Sequence, residues 1–162
     1  MRIERLSAHR QRIGELATLL HQEWRDFSPW SSHEKISQRF EQRCEPQHSG
    51  MTLLALSPQQ HILGTASLVI YDLADKPERK FWLGEVFTHP QHRGLGIARR
   101  LIDQCITHCK QKNITELYLY TPDQQPLYQK LGWQPVYQKL GWQPVEQRQV
   151  SGEEVTVMCR TL

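Results

Sequence analysis

The sequence has no apolar run of membrane-spanning length. Its longest, around Met51–Leu56 and Ala66–Tyr71, fall far short of the roughly 18 residues a bilayer helix needs, so no membrane association is expected. It also lacks any block of like charge: 20 Lys and Arg stand against 17 Asp and Glu, and the net +3 is spread along the chain. Such a balance argues against a nucleic-acid partner. Four cysteines, Cys44, Cys105, Cys109 and Cys159, include no C-x-x-C pair. A chain of this size folds without staples, so they read as reduced thiols of a cytoplasmic protein. The opening residues place Glu4 where a signal peptide would have its apolar core, and secretion is not expected. His89 and His92 are spaced like metal ligands, but no third ligand joins them in a recognisable pattern, and no metal is expected.

What is present is enough for a core. Of 162 residues, 38% are apolar and 23% charged, which suits a single compact domain over residues 1–162. Ile13, Leu16, Ala17, Leu20 and Trp24 recur at helical steps and predict an amphipathic helix from His9 to about Arg25. After the break at Phe27–Ser32, Ser32 is placed to cap a second helix through Ile36, Phe40 and Cys44. Met51–Leu56 and His61–Tyr71 read as a hairpin, Lys80–Thr88 as a third strand, Gly94–Lys112 as a helix and Glu116–Tyr120 as a strand parallel to the one before it. Gln124–Leu131 predicts a short helix closed by Gly132, and Ser151-Gly152 joins two final strands. The expected fold class is therefore mixed α/β: strand, two helices, three strands, helix, strand, short helix, two strands.

One segment is written twice. Tyr128-Gln-Lys-Leu-Gly-Trp-Gln-Pro-Val136 is followed at once by an identical nine-residue copy, Tyr137–Val145. A helix extended by nine residues would turn its buried face by half a turn, so the copy is expected as an insertion into a finished fold. Exchange of the last hairpin between two molecules, giving a homodimer, is one way to accommodate it.

The run with chemistry in it is Glu85-Val-Phe-Thr-His-Pro-Gln-His-Arg-Gly-Leu-Gly-Ile-Ala98, the end of a strand, a tight loop and the first turn of a helix. Gly94 and Gly96 permit backbone angles closed to other residues, and helix-start amides beside them can face a diphosphate. Arg93 adds a positive charge. A dinucleotide fingerprint, with Glu116 as ribose ligand, fails at its third glycine, where Arg99 stands.

Arg93-Gly-Leu-Gly96-Ile-Ala98, in the order set by Val86-Phe-Thr-His-Pro90, Leu117-Tyr-Leu-Tyr120 and Leu127-Tyr-Gln-Lys-Leu-Gly-Trp133, resembles the acetyl-CoA loop and flanking elements of the GNAT superfamily of N-acetyltransferases. The resemblance implies an acetyl-CoA-dependent N-acetyltransferase acting on a primary amine of a small molecule or peptide by direct attack in a ternary complex. Val86, Phe87, Thr88, Arg93, Gly94, Leu95, Gly96, Ile97 and Ala98 would hold the cosubstrate. Glu85 is the implied proton acceptor, and Tyr128 the implied general acid, with Tyr137 its alternative in the second copy. Gly84 suggests a bulge that frees an amide for the oxyanion. Trp24, Asp26, Trp30 and Glu34 are the expected acceptor-side residues, aromatic rings with carboxylates suiting a cationic amine. The other class is a noncatalytic CoA-binding or interaction protein on the same fold.

Overall fold

The computed structural model describes residues 1–71, 73–121 and 140–162. Among the described residues, seven strands form one sheet: β1 (Arg2–Arg5), β2 (Met51–Leu56), β3 (Ile62–Ile70), β4 (Phe81–Thr88), β5 (Glu116–Thr121), β6 (Gln143–Val150) and β7 (Glu153–Thr161), in the spatial order β1-β2-β3-β4-β5-β7-β6. Every pairing is antiparallel except that of β4 with β5. Among the described residues, helices α1 (Ile13–Trp24), α2 (His33–Arg43) and α3 (Ile97–Gln111) accompany the sheet in a mixed α/β architecture. The short helix expected at Gln124–Leu131 lies outside the described residues.

The two faces of the sheet are covered differently. Helix α3 turns Ile97, Leu101, Ile102, Cys105, Ile106 and Cys109 onto one face, where they meet Leu53, Leu68, Leu83, Val86 and Leu117. On the other face, Leu16, Leu20 and Trp24 of α1 and Ile36 and Phe40 of α2 pack over Leu54, Leu56 and Phe87. The spacing of these residues is why the segments are helices: each puts its apolar side chains on one stripe, and the sheet removes that stripe from water. Ser32 caps α2 by accepting from the Lys35 amide at 3.3 Å. The first helix starts later than its periodicity suggests. Residues Leu6–Ala8 and Arg10–Arg12 form two successive 3-10 turns, and Arg12 offers α1 no side-chain cap, because the tighter path brings Leu6, fully buried, and Ile13 into the same cluster.

The last hairpin turns at Ser151 (φ +50°) and Gly152 (φ +81°), both left-handed as a two-residue turn matched to strand twist requires. Its β7 inserts between β5 and β6 in the chain's own sheet. Trp142, of the second nine-residue copy, is fully buried, with Leu140 packed beside it in the α3-side core. The second copy also supplies Gln143, Pro144 and Val145 to β6, and the ladder shifts register between Pro144 and Glu146, where the copy ends.

Two outcomes follow from this packing. Because the copies are identical, removal of either yields one and the same chain, which keeps the docked Leu-Gly-Trp-Gln-Pro-Val. That variant is expected to melt cooperatively at an equal or slightly higher temperature, since shortening a connection by less than half is worth under about 0.6 kcal/mol; loss of a cooperative transition would contradict the assignment. The second outcome concerns His108, which is buried on α3 and accepts at Nδ1 from the Arg5 guanidinium at 2.8 Å. Burial first, then the charges of Arg5 and Lys112, hold its pKa below the ordinary 6.5. The unfolded chain therefore binds this proton first as pH falls, so stability is full above about pH 6.5 and declines below it. Denaturant unfolding at several pH values should show that decline, flattened in His108→Gln.

Candidate active site

Strand β4 carries the geometry on which the site depends. Leu83 and Val86, three residues apart, face the same α3-side core, and Trp82 and Phe87 both face the opposite side; regular alternation cannot do this, so one extra residue is inserted between them. The β3 register confirms it: Thr65 pairs with Phe87, Ser67 with Gly84. The inserted residue is Glu85, with φ +55°. The bulge expected from Gly84 thus exists, but its left-handed residue is a glutamate. A non-glycine residue there costs on the order of 1–3 kcal/mol, and something must hold it.

Arg43, the last residue of α2, does so. Its Nη1 and Nη2 donate to the two carboxylate oxygens of Glu85, the Nη2–Oε2 contact being 3.2 Å. Nη1 also donates to Thr52 Oγ1 at 3.1 Å and Ser67 Oγ at 3.2 Å, and these hydroxyls bond each other at 2.8 Å. Both charged side chains are only 7% exposed.

Beyond the bulge, β4 and β5 part. Their ladder consists of Trp82↔Tyr118, while β5 pairs with β7 from Glu116↔Thr161 to Thr121↔Thr156 and β4 stays with β3. The His89 amide donates to Leu63 O at 2.8 Å. Counting back by twos, Phe87 faces β3 as well, and the Val86 and Thr88 N–H groups turn toward the side that β5 has left. The strand then runs into Gly94 (φ +81°) and Gly96 (φ +78°), which open α3. The first helical bond there is Arg100 N to Gly96 O, 3.1 Å. The Ile97, Ala98 and Arg99 amides lie ahead of that bond, with no side-chain cap and no acidic residue in the first turn. That is a favourable end for an anion. Leu95 stands 70% exposed between the glycines. Arg93 is tied into the loop: its Nε donates to Thr88 O (3.0 Å) and its Nη2 to Glu23 Oε1 of α1 (2.6 Å). Its guanidinium, expected to grip a diphosphate, thus also braces the loop against α1 through a charge-assisted bond.

On the other face of the same opening lies a cavity of about 510 Å³, bounded by the α1–α2 connection, the end of α2, the Glu85 bulge, the end of β5 and the β6–β7 turn. Trp24 and Trp30 form one wall, ring centroids 4.9 Å apart. Trp30 is held by its carbonyl, which lies 2.8 Å from His21 Nδ1, and carries the Arg39 guanidinium 4.8 Å above its ring. Across from them the Tyr71 and Tyr120 hydroxyls meet at 3.3 Å. Burial chiefly pushes both phenols above their ordinary pKa, and burial also raises the carboxyl of Glu153, at the hairpin turn.

Of the expected acceptor-side residues, Trp24 and Trp30 reach this cavity, whereas Asp26 and Glu34 do not line it; Glu85, the expected proton acceptor, does. Both are exposed. Glu34 lies two residues before the buried Ile36, hence on the outward side of α2, where its charge suits the helix start. Tyr128 and Tyr137 fall outside the described residues. Sequence reasoning missed Arg43, Tyr71, Tyr120, Glu153 and Glu23. Arg43 had a signal: it continues the stripe of Ile36 and Phe40, and a charge on a buried stripe requires a partner. Among the described residues no cluster of three metal-ligating side chains occurs.

A family model described as the acetyltransferase (GNAT) family matches residues 16–133. No curated protein sequence matches the chain. Among solved structures, a ribosomal-protein-alanine N-acetyltransferase from Brucella melitensis is similar with TM-score 0.76 at 16% identity, covering 100% of both chains. A mutant spermidine N-acetyltransferase from Vibrio cholerae gives TM-score 0.71 at 17% identity over 99% of this chain and 95% of that one. An aminoglycoside 6'-N-acetyltransferase complexed with coenzyme A gives 0.74 at 16% identity, covering 99% and 97%.

The buried pair generates a stability expectation. Removing one partner leaves an uncompensated charge, so Arg43→Ala should lose about 3–5 kcal/mol in denaturant unfolding. A loss below about 1 kcal/mol would mean the pair is effectively solvated.

Proposed function

The chain belongs to the acetyltransferase (GNAT) family, and from that premise we propose that it moves the acetyl group of acetyl-CoA to a primary amine of a small molecule or peptide, by direct attack within a ternary complex. The observation that carries this reading is the parting of β4 from β5 beyond Trp82↔Tyr118, which turns the Val86 and Thr88 amides into an opening continuous with the Gly94–Gly96 loop. The residues present fit the cosubstrate. An extended amide-bearing arm can pair with that strand edge as β5 would have done, and its diphosphate finds the uncapped amides of Ile97 and Ala98. Arg93, tied to Thr88 and Glu23, is proposed to add its positive charge beside that diphosphate.

Acetyl-CoA supplies an activated acyl group on a thiol leaving group; the protein has to supply position and proton transfer. An alkylammonium has a pKa near 10 and must lose a proton before it can attack. Glu85, at the bulge and on the cavity wall, is the proposed acceptor of that proton. The Val86 N–H, on the cleft side, is placed to donate to the oxygen on which negative charge develops. Trp24 and Trp30 offer ring faces to an incoming cation. Tyr128, in the position that the family resemblance gives to a general acid, is proposed to protonate the departing thiolate, and Tyr137 is its alternative. Amine acceptors are named for two of the similar proteins, spermidine for one and an aminoglycoside for another; they support the amine class here.

The test is thiol release from acetyl-CoA across a panel of amines and peptides, with mass spectrometry of the products. At least one amine should be acetylated, and Glu85→Gln should bind CoA normally while turning over about 10²–10⁴ times more slowly. A panel with no acetylated product, from protein that binds CoA, would refute the transferase reading.

A further inference from the structure

A glutamate that takes a proton at each turnover sits oddly in a bidentate ion pair. Removing a buried pair in favour of well-packed apolar residues is often neutral or stabilising, so stability alone does not demand one at this position. Its two contacts are also unequal. Oε1 meets Nη1, which Thr52 and Ser67 hold from behind, whereas Oε2 is met at 3.2 Å by Nη2. Arg43 itself is immobilised: its side chain is 7% exposed, it lies 5.5 Å over the Phe40 ring, and it reaches three elements, β2, β3 and β4.

We propose that Arg43 is the positioning residue of the reaction, anchoring Glu85 by Oε1 so that Oε2 is the oxygen that receives the proton of the incoming ammonium. The proposal rests on the reading that Glu85 is the proton acceptor. Three facts support the division of labour. Glu85 has three side-chain torsions on a left-handed backbone, and without a tether its carboxylate would sample many directions. A guanidinium stays protonated throughout the working pH range, so it can orient the carboxylate without competing for the transferred proton, which a lysine could do. At 3.2 Å the Nη2–Oε2 contact is long for a charge-assisted hydrogen bond, so an ammonium can replace it at low cost.

The step balances as follows. R–NH3⁺ gives one proton to Oε2, leaving a neutral amine and a neutral Glu85 carboxyl, with Arg43 still charged. The nitrogen lone pair forms the C–N bond to the acetyl carbon, and the C–S bond breaks with its electron pair going to sulfur. The proposed general acid protonates the thiolate and is itself restored by the second nitrogen proton, and Glu85 returns its proton to water.

The experiment uses the full chain with whichever amine the panel identifies, measuring kcat and KM for Arg43→Lys, Arg43→Gln, Glu85→Gln and the Arg43→Gln/Glu85→Gln double variant, with CoA affinity by calorimetry. The double variant has no unpaired charge and serves if Arg43→Gln alone does not fold. A positioning role predicts kcat lower by about 10- to 100-fold in Arg43→Gln, partial recovery in Arg43→Lys, and KM for acetyl-CoA within about twofold of the unaltered chain. It also predicts non-additivity: the double variant should be no slower than Glu85→Gln. Undiminished kcat in folded Arg43→Gln, or a double variant slower by the product of the single effects, overturns the assignment while leaving the transferase reading intact. Absence of transfer by the unaltered chain overturns both, and is told apart by that first arm.

Discussion

The separation of two parallel strands governs this molecule. Strand β5 is fully occupied by β7 on its far side, and β4 by β3, so neither has to stay with the other beyond Trp82 and Tyr118. The bulge at Glu85 bends β4 away, as an extra residue in one strand does. What results is a pair of inner strand edges in the middle of a sheet, where polar backbone groups ordinarily find each other. Such an opening persists because the rest of the fold pins its sides: α3 on one face and α1 with α2 on the other.

The same bend concentrates the chemistry. A left-handed glutamate is unfavourable by itself, and the Arg43 contacts offset that cost while bringing the carboxylate to the cavity wall. Glu23, one residue before Trp24, holds Arg93 of the glycine loop. Helix α1 therefore touches both the loop side and the cavity side of the opening, and the two halves of the site share one support.

Much of the architecture was legible in the residues. The stripe of Ile13, Leu16, Leu20 and Trp24, the turn residues Ser151 and Gly152, and the Gly94–Gly96 loop each follow from local rules, and each is where those rules put it. Asp26 and Glu34 stand outside the cavity wall that Trp24 and Trp30 form, because proximity in sequence to those rings does not fix which way a carboxylate points. Tyr71 and Tyr120 stayed hidden for a related reason: they come from strands far apart in the chain, and only the sheet order brings their hydroxyls together. Arg93 carried a plausible charge whose partner, Glu23, lay seventy positions away. Arg43 could have been suspected from its place on the stripe of α2, but its partner could not.

The central claim is that the strand edge exposed by this parting receives the amide-bearing arm of coenzyme A. Hydrogen exchange of individual backbone amides, with and without coenzyme A, addresses it directly. Slower exchange at Val86 and Thr88, together with the Ile97 and Ala98 amides, is the predicted result; binding that leaves the Val86 and Thr88 rates unchanged would contradict it.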